Sequence, residues 1–112
     1  MSKKLDQINE SIRSQLGQIL ARHIEFPTSM LATVTNVVTS PDLKSAKVFF
    51  TVIPENMRGS ALRIMKSSAG IIRQKLAEHL KIRNIPRLNF FIDEQEVFAN
   101  QVEKILDELK RK

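Results

Sequence analysis

The residues best suited to acid–base chemistry are Asp93, Glu94 and Glu96, carboxylates clustered near the C-terminal end of the chain. A working acid–base pair needs a pocket, a tuned pKa and a positioned substrate. This cluster falls instead where a strand should pass into a helix. Loop solvation and pairing with the helix dipole account for it there. His23 lies near the end of a first helix, where it suits the last free carbonyls. His79 should sit on the exposed side of a later helix, and neither histidine has a neighbour at metal-ligand or triad spacing. Ser67 and Ser68 lack the Gly-x-Ser-x-Gly elbow of serine hydrolases. With no cysteine, the chain has no disulfide, thiolate metal site or cysteine nucleophile. The expectation is a protein that is not an enzyme and that carries no cofactor and no metal.

Binding chemistry is better represented. Of 112 residues, 18 are basic and 12 acidic, a net charge of +6. Residues 44–87 hold ten Lys/Arg against Glu55 and Glu78, or +8, while the remainder carries −2. A basic middle on a near-neutral frame points to a polyanionic partner. Within it, Ser67-Ser68-Ala69-Gly70 interrupts a helical pattern, with Arg63, Lys66, Arg73 and Lys75 around it. Kinks are commonly found at Gly/Ser pairs. A bend of small residues can turn backbone N–H groups toward phosphate at a helix N-terminus. It can equally serve only to let helices pack closely, and the tripeptide alone does not decide.

The elements that must carry this bend follow from periodicity. Leu5, Ile8, Ile12, Leu16, Ile19 and Leu20 form one helical stripe, with Ser2 as N-cap and Phe26-Pro27 closing the segment. Gly17 inside it suggests close approach of another backbone. Leu31–Thr39 and Ala46–Ile53 have the β-branched and aromatic content of strands. Ser40-Pro41-Asp42-Leu43-Lys44 between them reads as a hairpin loop. A helical pattern over 60–80 has the stripe Met65, Ala69, Ile72, Leu76 and Leu80, and its weak centre predicts two helices meeting at an angle. Leu88, Phe90 and Ile92 alternate as a third strand. Phe98, Val102, Ile105, Leu106 and Leu109 predict a last helix, acidic early and ending on Lys110-Arg111-Lys112. The fold class is α+β, a two-layer sandwich in the order helix, strand, strand, kinked helix pair, strand, helix, forming one domain over 1–112. No apolar run approaches the ~20 residues that span a bilayer, and no secretory signal is evident. A soluble cytoplasmic protein without a membrane partner is expected.

The chain resembles the bacterial ribosome-binding factor A family along nearly its whole length. The likeness is strongest in Val34-Thr35-Asn36-Val37 and in Ser40-Pro41-Asp42-Leu43 followed by Ala46-Lys47-Val48-Phe49. It continues through Ala69-Gly70-Ile71-Ile72-Arg73 and the run from Leu80 to Phe90. The resemblance implies a type II K-homology fold, in which two helices meet at a loop that clamps a nucleic-acid backbone. It implies a factor that binds the free 30S small ribosomal subunit late in maturation, contacts 16S rRNA, assists processing of its 5′ end and supports growth in the cold.

In that family the glycine-rich clamp is replaced by an Ala-x-Gly kink, which reads Ser68-Ala69-Gly70 here, with serine at the alanine position. Phe26-Pro27 stands for the usual Asp-Pro, and a glycine and an arginine frequent near Ala99 and Gln101 are absent. The residues expected to contact RNA are Lys44, Lys47, Arg63, Lys66, Ser68, Ala69, Gly70, Arg73, Lys75, Lys81 and Arg83, on a chain monomeric when free. The alternative is a non-enzymatic protein-interaction module that docks through its sheet edge or C-terminal helix.

Overall fold

The computed structural model describes residues 3–94, 105–106 and 108–110. The order is α1 (Lys3–His23), β1 (Leu31–Thr39), β2 (Ser45–Ile53), a 3-10 turn (Glu55–Met57), α2 (Arg58–Ser67), α3 (Ala69–His79) and β3 (Arg87–Ile92). Residues 105–106 and 108–110 are helical, as the spacing predicts. Ser2 as N-cap, and Glu96, Phe98, Val102, Arg111 and Lys112 of the expected last helix, lie outside the described residues.

The sheet runs β1-β2-β3. β1 and β2 pair antiparallel, while β3 adds to β2 in parallel, Ser45 opposite Arg87 and Phe50 opposite Ile92. Parallel pairing needs a long crossover, and the segment 54–86, with α2 and α3, supplies it. One face of the sheet is covered. Val34, Val37, Val48, Phe50, Val52 and Phe90 point into a core closed by Ile12, Leu16 and Ile19 of α1, Ala61 and Met65 of α2, and Ile72 and Leu76 of α3. The α+β two-layer reading holds. Of the predicted stripe, Met65, Ile72 and Leu76 are buried, whereas Ala69 and Leu80 only pack against the core from its margin.

The hairpin loop is locked by its polar residues. Ser40 Oγ donates to Asp42 Oδ1 at 2.6 Å, and Lys44 N donates to the same oxygen at 3.0 Å. The Ser40 hydroxyl first, then the Lys44 amide, holds the Asp42 carboxyl below its ordinary range. The turn leaves Leu43 at φ 62°, a left-handed conformation uncommon for a side chain of that kind. Nothing in the composition signals it.

Two features depart from the sequence reading. Gly17 makes no close approach, since a Cβ there would meet nothing within 4 Å. Thr35 falls at an irregularity of register between Val34 and Asn36. Its hydroxyl donates to Asp93 Oδ2 at 2.6 Å, and Asp93 N donates to Phe50 O at 2.8 Å. Asp93 thus ties the end of β3 to both other strands.

Thr39 is 2% exposed, and its Oγ1 has no hydrogen-bond partner among the described residues. An unsatisfied buried hydroxyl costs about 1–3 kcal/mol. Thr39→Val keeps the shape and removes the hydroxyl, so it is expected to stabilise the fold by about 1 kcal/mol. A melting temperature raised by about 4 °C is the expected readout, and a lower one contradicts this account.

Candidate nucleic-acid interface

The bend lies at Ser68. Its backbone, at φ −95° and ψ 3°, ends α2 and begins α3. Ser68 N donates to Ile64 O at 2.9 Å, and Ile72 N donates to Ser68 O at 3.0 Å. The N–H groups of Ala69, Gly70 and Ile71 therefore belong to the first turn of α3, where a helix cannot satisfy its own donors. Ser68 makes no side-chain capping hydrogen bond at this end.

Gly70 is exposed, its φ is not left-handed, and a Cβ there would meet nothing within 4 Å. Neither backbone conformation nor helix packing requires glycine at this position, whereas Ala69 beside it packs against the core. What the missing side chain of Gly70 leaves open is a groove of about 490 Å³ between the bend and the free edge of β3. Lys66, Ala69, Gly70 and Arg73 line one wall, and Arg87 with the strand to Phe91 lines the other. No described lining residue is acidic. Bare amides, a helix N-terminus and three cationic side chains together suit an oxyanion such as phosphate.

The fold sorts the remaining expected residues. Ser68 is half-buried at the corner itself. Arg63 lies a turn back on α2 and donates to Ser60 Oγ at 3.1 Å. Lys75 is outside the groove lining, 3.5 Å from Glu78. Lys81 and Arg83 stand on the segment after α3. Arg73 also has a structural task, since its Nη2 donates to Ile85 O at 2.9 Å and fastens that segment. Lys44 is outside the groove lining, and its carbonyl accepts from Arg87 N at 2.9 Å. Lys47 lies on the uncovered face of the sheet, opposite Val38 and Asn89.

Residues 87–91 of the groove are missing from the expected set, and Arg87 is the cation among them. Its place after Pro86, opening the alternating strand, is the available signal. Its position against the bend depends on the parallel pairing, which no local pattern reveals.

Of the acid–base candidates, Asp93 bonds to Thr35 and Phe50, and Glu96 lies outside the described residues. His23 and His79 meet at one small cleft beside Arg22 and Gln18. Among the described residues, no group of three or more His, Cys, Asp or Glu could hold a metal. Among the same residues, no helix is long and apolar enough to cross a membrane.

A kinked helix pair packed on a mixed three-stranded sheet, in this order, is a K-homology-like α+β domain. A family sequence model described as "Ribosome-binding factor A" matches residues 4–106, and the chain belongs to that family. Solved structures agree on the fold. The crystal structure of ribosome-binding factor A from Thermus thermophilus is 24% identical with a TM-score of 0.71, over 79% of this chain and 93% of that one. The solution structure of a Thermotoga maritima protein is 20% identical with a TM-score of 0.69, over 81% and 88%. A Thermus thermophilus homology model of the factor, fitted into a cryo-EM map of its complex with the 30S subunit, is 29% identical. Its TM-score is 0.60, over 75% and 93%.

Proposed function

We propose that this protein is a non-enzymatic maturation factor that binds the free 30S small ribosomal subunit. It acts in the cytoplasm, holds 16S rRNA in the groove at the bend, and assists late maturation and 5′-end processing, including in the cold. The carrying observation is the groove itself, with no acid among its described lining residues. It presents the first-turn amides of α3 over an absent side chain, with Lys66, Arg73 and Arg87 around them. The related Thermus factor was placed in a complex with the 30S subunit, which favours the same partner here.

The contact proposed is with the sugar–phosphate backbone, so it should be strongly salt-dependent. Each phosphate neutralised on a single strand contributes about −0.7 to the slope of log affinity against log salt. With three cationic side chains engaged, a slope of about −2 is expected. Apolar docking on a protein would leave the slope near zero.

Lys66→Glu and Arg87→Glu should each weaken co-sedimentation with free 30S subunits. Lys75→Glu makes the same charge change outside the groove lining and should weaken it clearly less. Arg73→Glu is the poorer test, because it also frees the Ile85 carbonyl. Equal losses across Lys66, Arg87 and Lys75 would reduce the site to a diffuse basic surface. Recovery of the protein mainly with polysomes would refute the maturation role.

A further inference from the structure

Among the described residues nothing covers the sheet face opposite the helices, and its composition is not that of an ordinary solvated face. The strand register sets its side chains in rows. Asn36, Phe49 and Phe91 form one row across the three strands, and Val38, Lys47 and Asn89 form the next. Arg87 follows on β3, in line with Asn89 and Phe91. The rings of Phe49 and Phe91 lie 5.7 Å apart at 30° to one another, and Phe91 is 43% exposed. Two aromatic rings thus lie side by side on the central and edge strands, with amide side chains and cations on one side and the carboxylates Asp93 and Glu94 on the other.

We infer that this face is a stacking platform for the bases of a single RNA strand, continuous with the groove at the bend. Three observations carry it. Every base has a π-face, so exposed aromatic rings on a sheet accept stacked bases with little sequence preference. Asn36 and Asn89 flank the ring pair; Asn36 Oδ1 accepts from Val37 N at 2.9 Å, which leaves its NH2 to donate, and an amide such as Asn89 can offer both donor and acceptor to a base edge. Lys47 and Arg87 supply positive charge for the backbone between bases.

Continuity decides between RNA and an apolar partner. Arg87, Asn89 and Phe91 rim the groove that Gly70 and Lys66 line, so a strand held there by its phosphates meets the ring pair on crossing the edge of β3. At the other end, Asp93, tied to Thr35, and Glu94 put two carboxylates beside the ring pair, and their charge sets the limit of the platform for a polyanion. The inference rests on the reading of the protein as an RNA-binding factor, and it adds where the bases go.

Full-length protein titrated with single-stranded oligo(A) of twelve nucleotides, and with a twelve-base-pair RNA duplex, tests it. Phe91→Leu keeps apolar surface and removes the ring. It should weaken single-strand binding by about tenfold, the scale of one base stacked on an aromatic side chain. Duplex binding should be unchanged, and so should the melting temperature. Phe49→Leu should act in the same direction. The Phe91 ring protons should move upfield when oligo(A) is added and stay in place with the duplex.

Gly70→Glu separates the two readings. If it abolishes binding while Phe91→Leu leaves single-strand affinity intact, the groove stands and the platform is overturned. If Phe91→Leu weakens binding and Gly70→Glu does not, the platform stands and the groove falls. Contacts in the free protein between the Phe91 ring and Ile105, Leu106 or Leu109, which are at least half exposed, would also overturn the platform. The chain's own last helix would then occupy that face.

Discussion

Gly70→Glu is expected to abolish most small-subunit binding while leaving the protein at least as stable as before. The two effects have separate causes. Glycine within a helix costs about 1 kcal/mol relative to alanine, and the added Cβ meets nothing within 4 Å. An acidic side chain in the first turn also gains about 0.3–1 kcal/mol from the helix dipole. Thermal unfolding should therefore move upward or stay in place. The carboxylate, however, stands where a phosphate is expected among Lys66, Arg73 and Arg87. Hydrogen bonds to a charged group are worth about 1.5–3 kcal/mol, so losing one such contact predicts a drop of about 10- to 100-fold. Gly70→Ala should show the same stability gain with a smaller loss of binding. Undiminished binding of the glutamate variant, measured beside its melting curve, would remove the bend from the interface.

Phe50→Ala should produce the largest loss of stability. Phe50 is fully buried on the central strand, opposite Val34 on one side and Ile92 on the other. Truncating a buried phenylalanine costs about 3–5 kcal/mol, a large share of the ~5–15 kcal/mol that holds a domain together. Urea unfolding should show a midpoint far below that of the parent with a similar slope. The neighbouring Phe49→Ala is the matched comparison. Its side chain points to the uncovered face, so the same truncation should cost much less. Equal costs would mean that the two faces of β2 are not distinguished as described.

Local chemistry is readable where a single residue type has a single physical use. Val and Thr runs mark β1 and β2, and weak helix formers at Ser67-Ser68-Ala69-Gly70 mark the bend. What the sequence withholds is relative placement. Lys75 follows Arg73 by two residues, which is more than half a turn of helix, so nearness in the chain says nothing about a shared face. Arg73 reads as a phosphate ligand, but its bond to the Ile85 carbonyl arises only once the segment after α3 folds back. Arg87 enters the groove because β3 pairs in parallel with β2, a decision made across the whole crossover. The outlying turn at Leu43 and the irregularity at Thr35 are satisfied by side-chain hydrogen bonds that composition does not announce.

The parallel pairing of β2 with β3 also orders the assembly of the molecule in time. The β1–β2 hairpin closes over a short loop, and α2 and α3 are local structures, so each can form early. β3 must find β2 across the entire segment 54–86, and non-local closure of this kind slows folding. One wall of the groove is β3 itself. During synthesis, the hairpin and both helices leave the ribosome before the residues that complete the binding surface. On the function proposed here, RNA affinity needs the finished chain, and it should appear in refolding experiments only with the slowest phase that reports β3 docking.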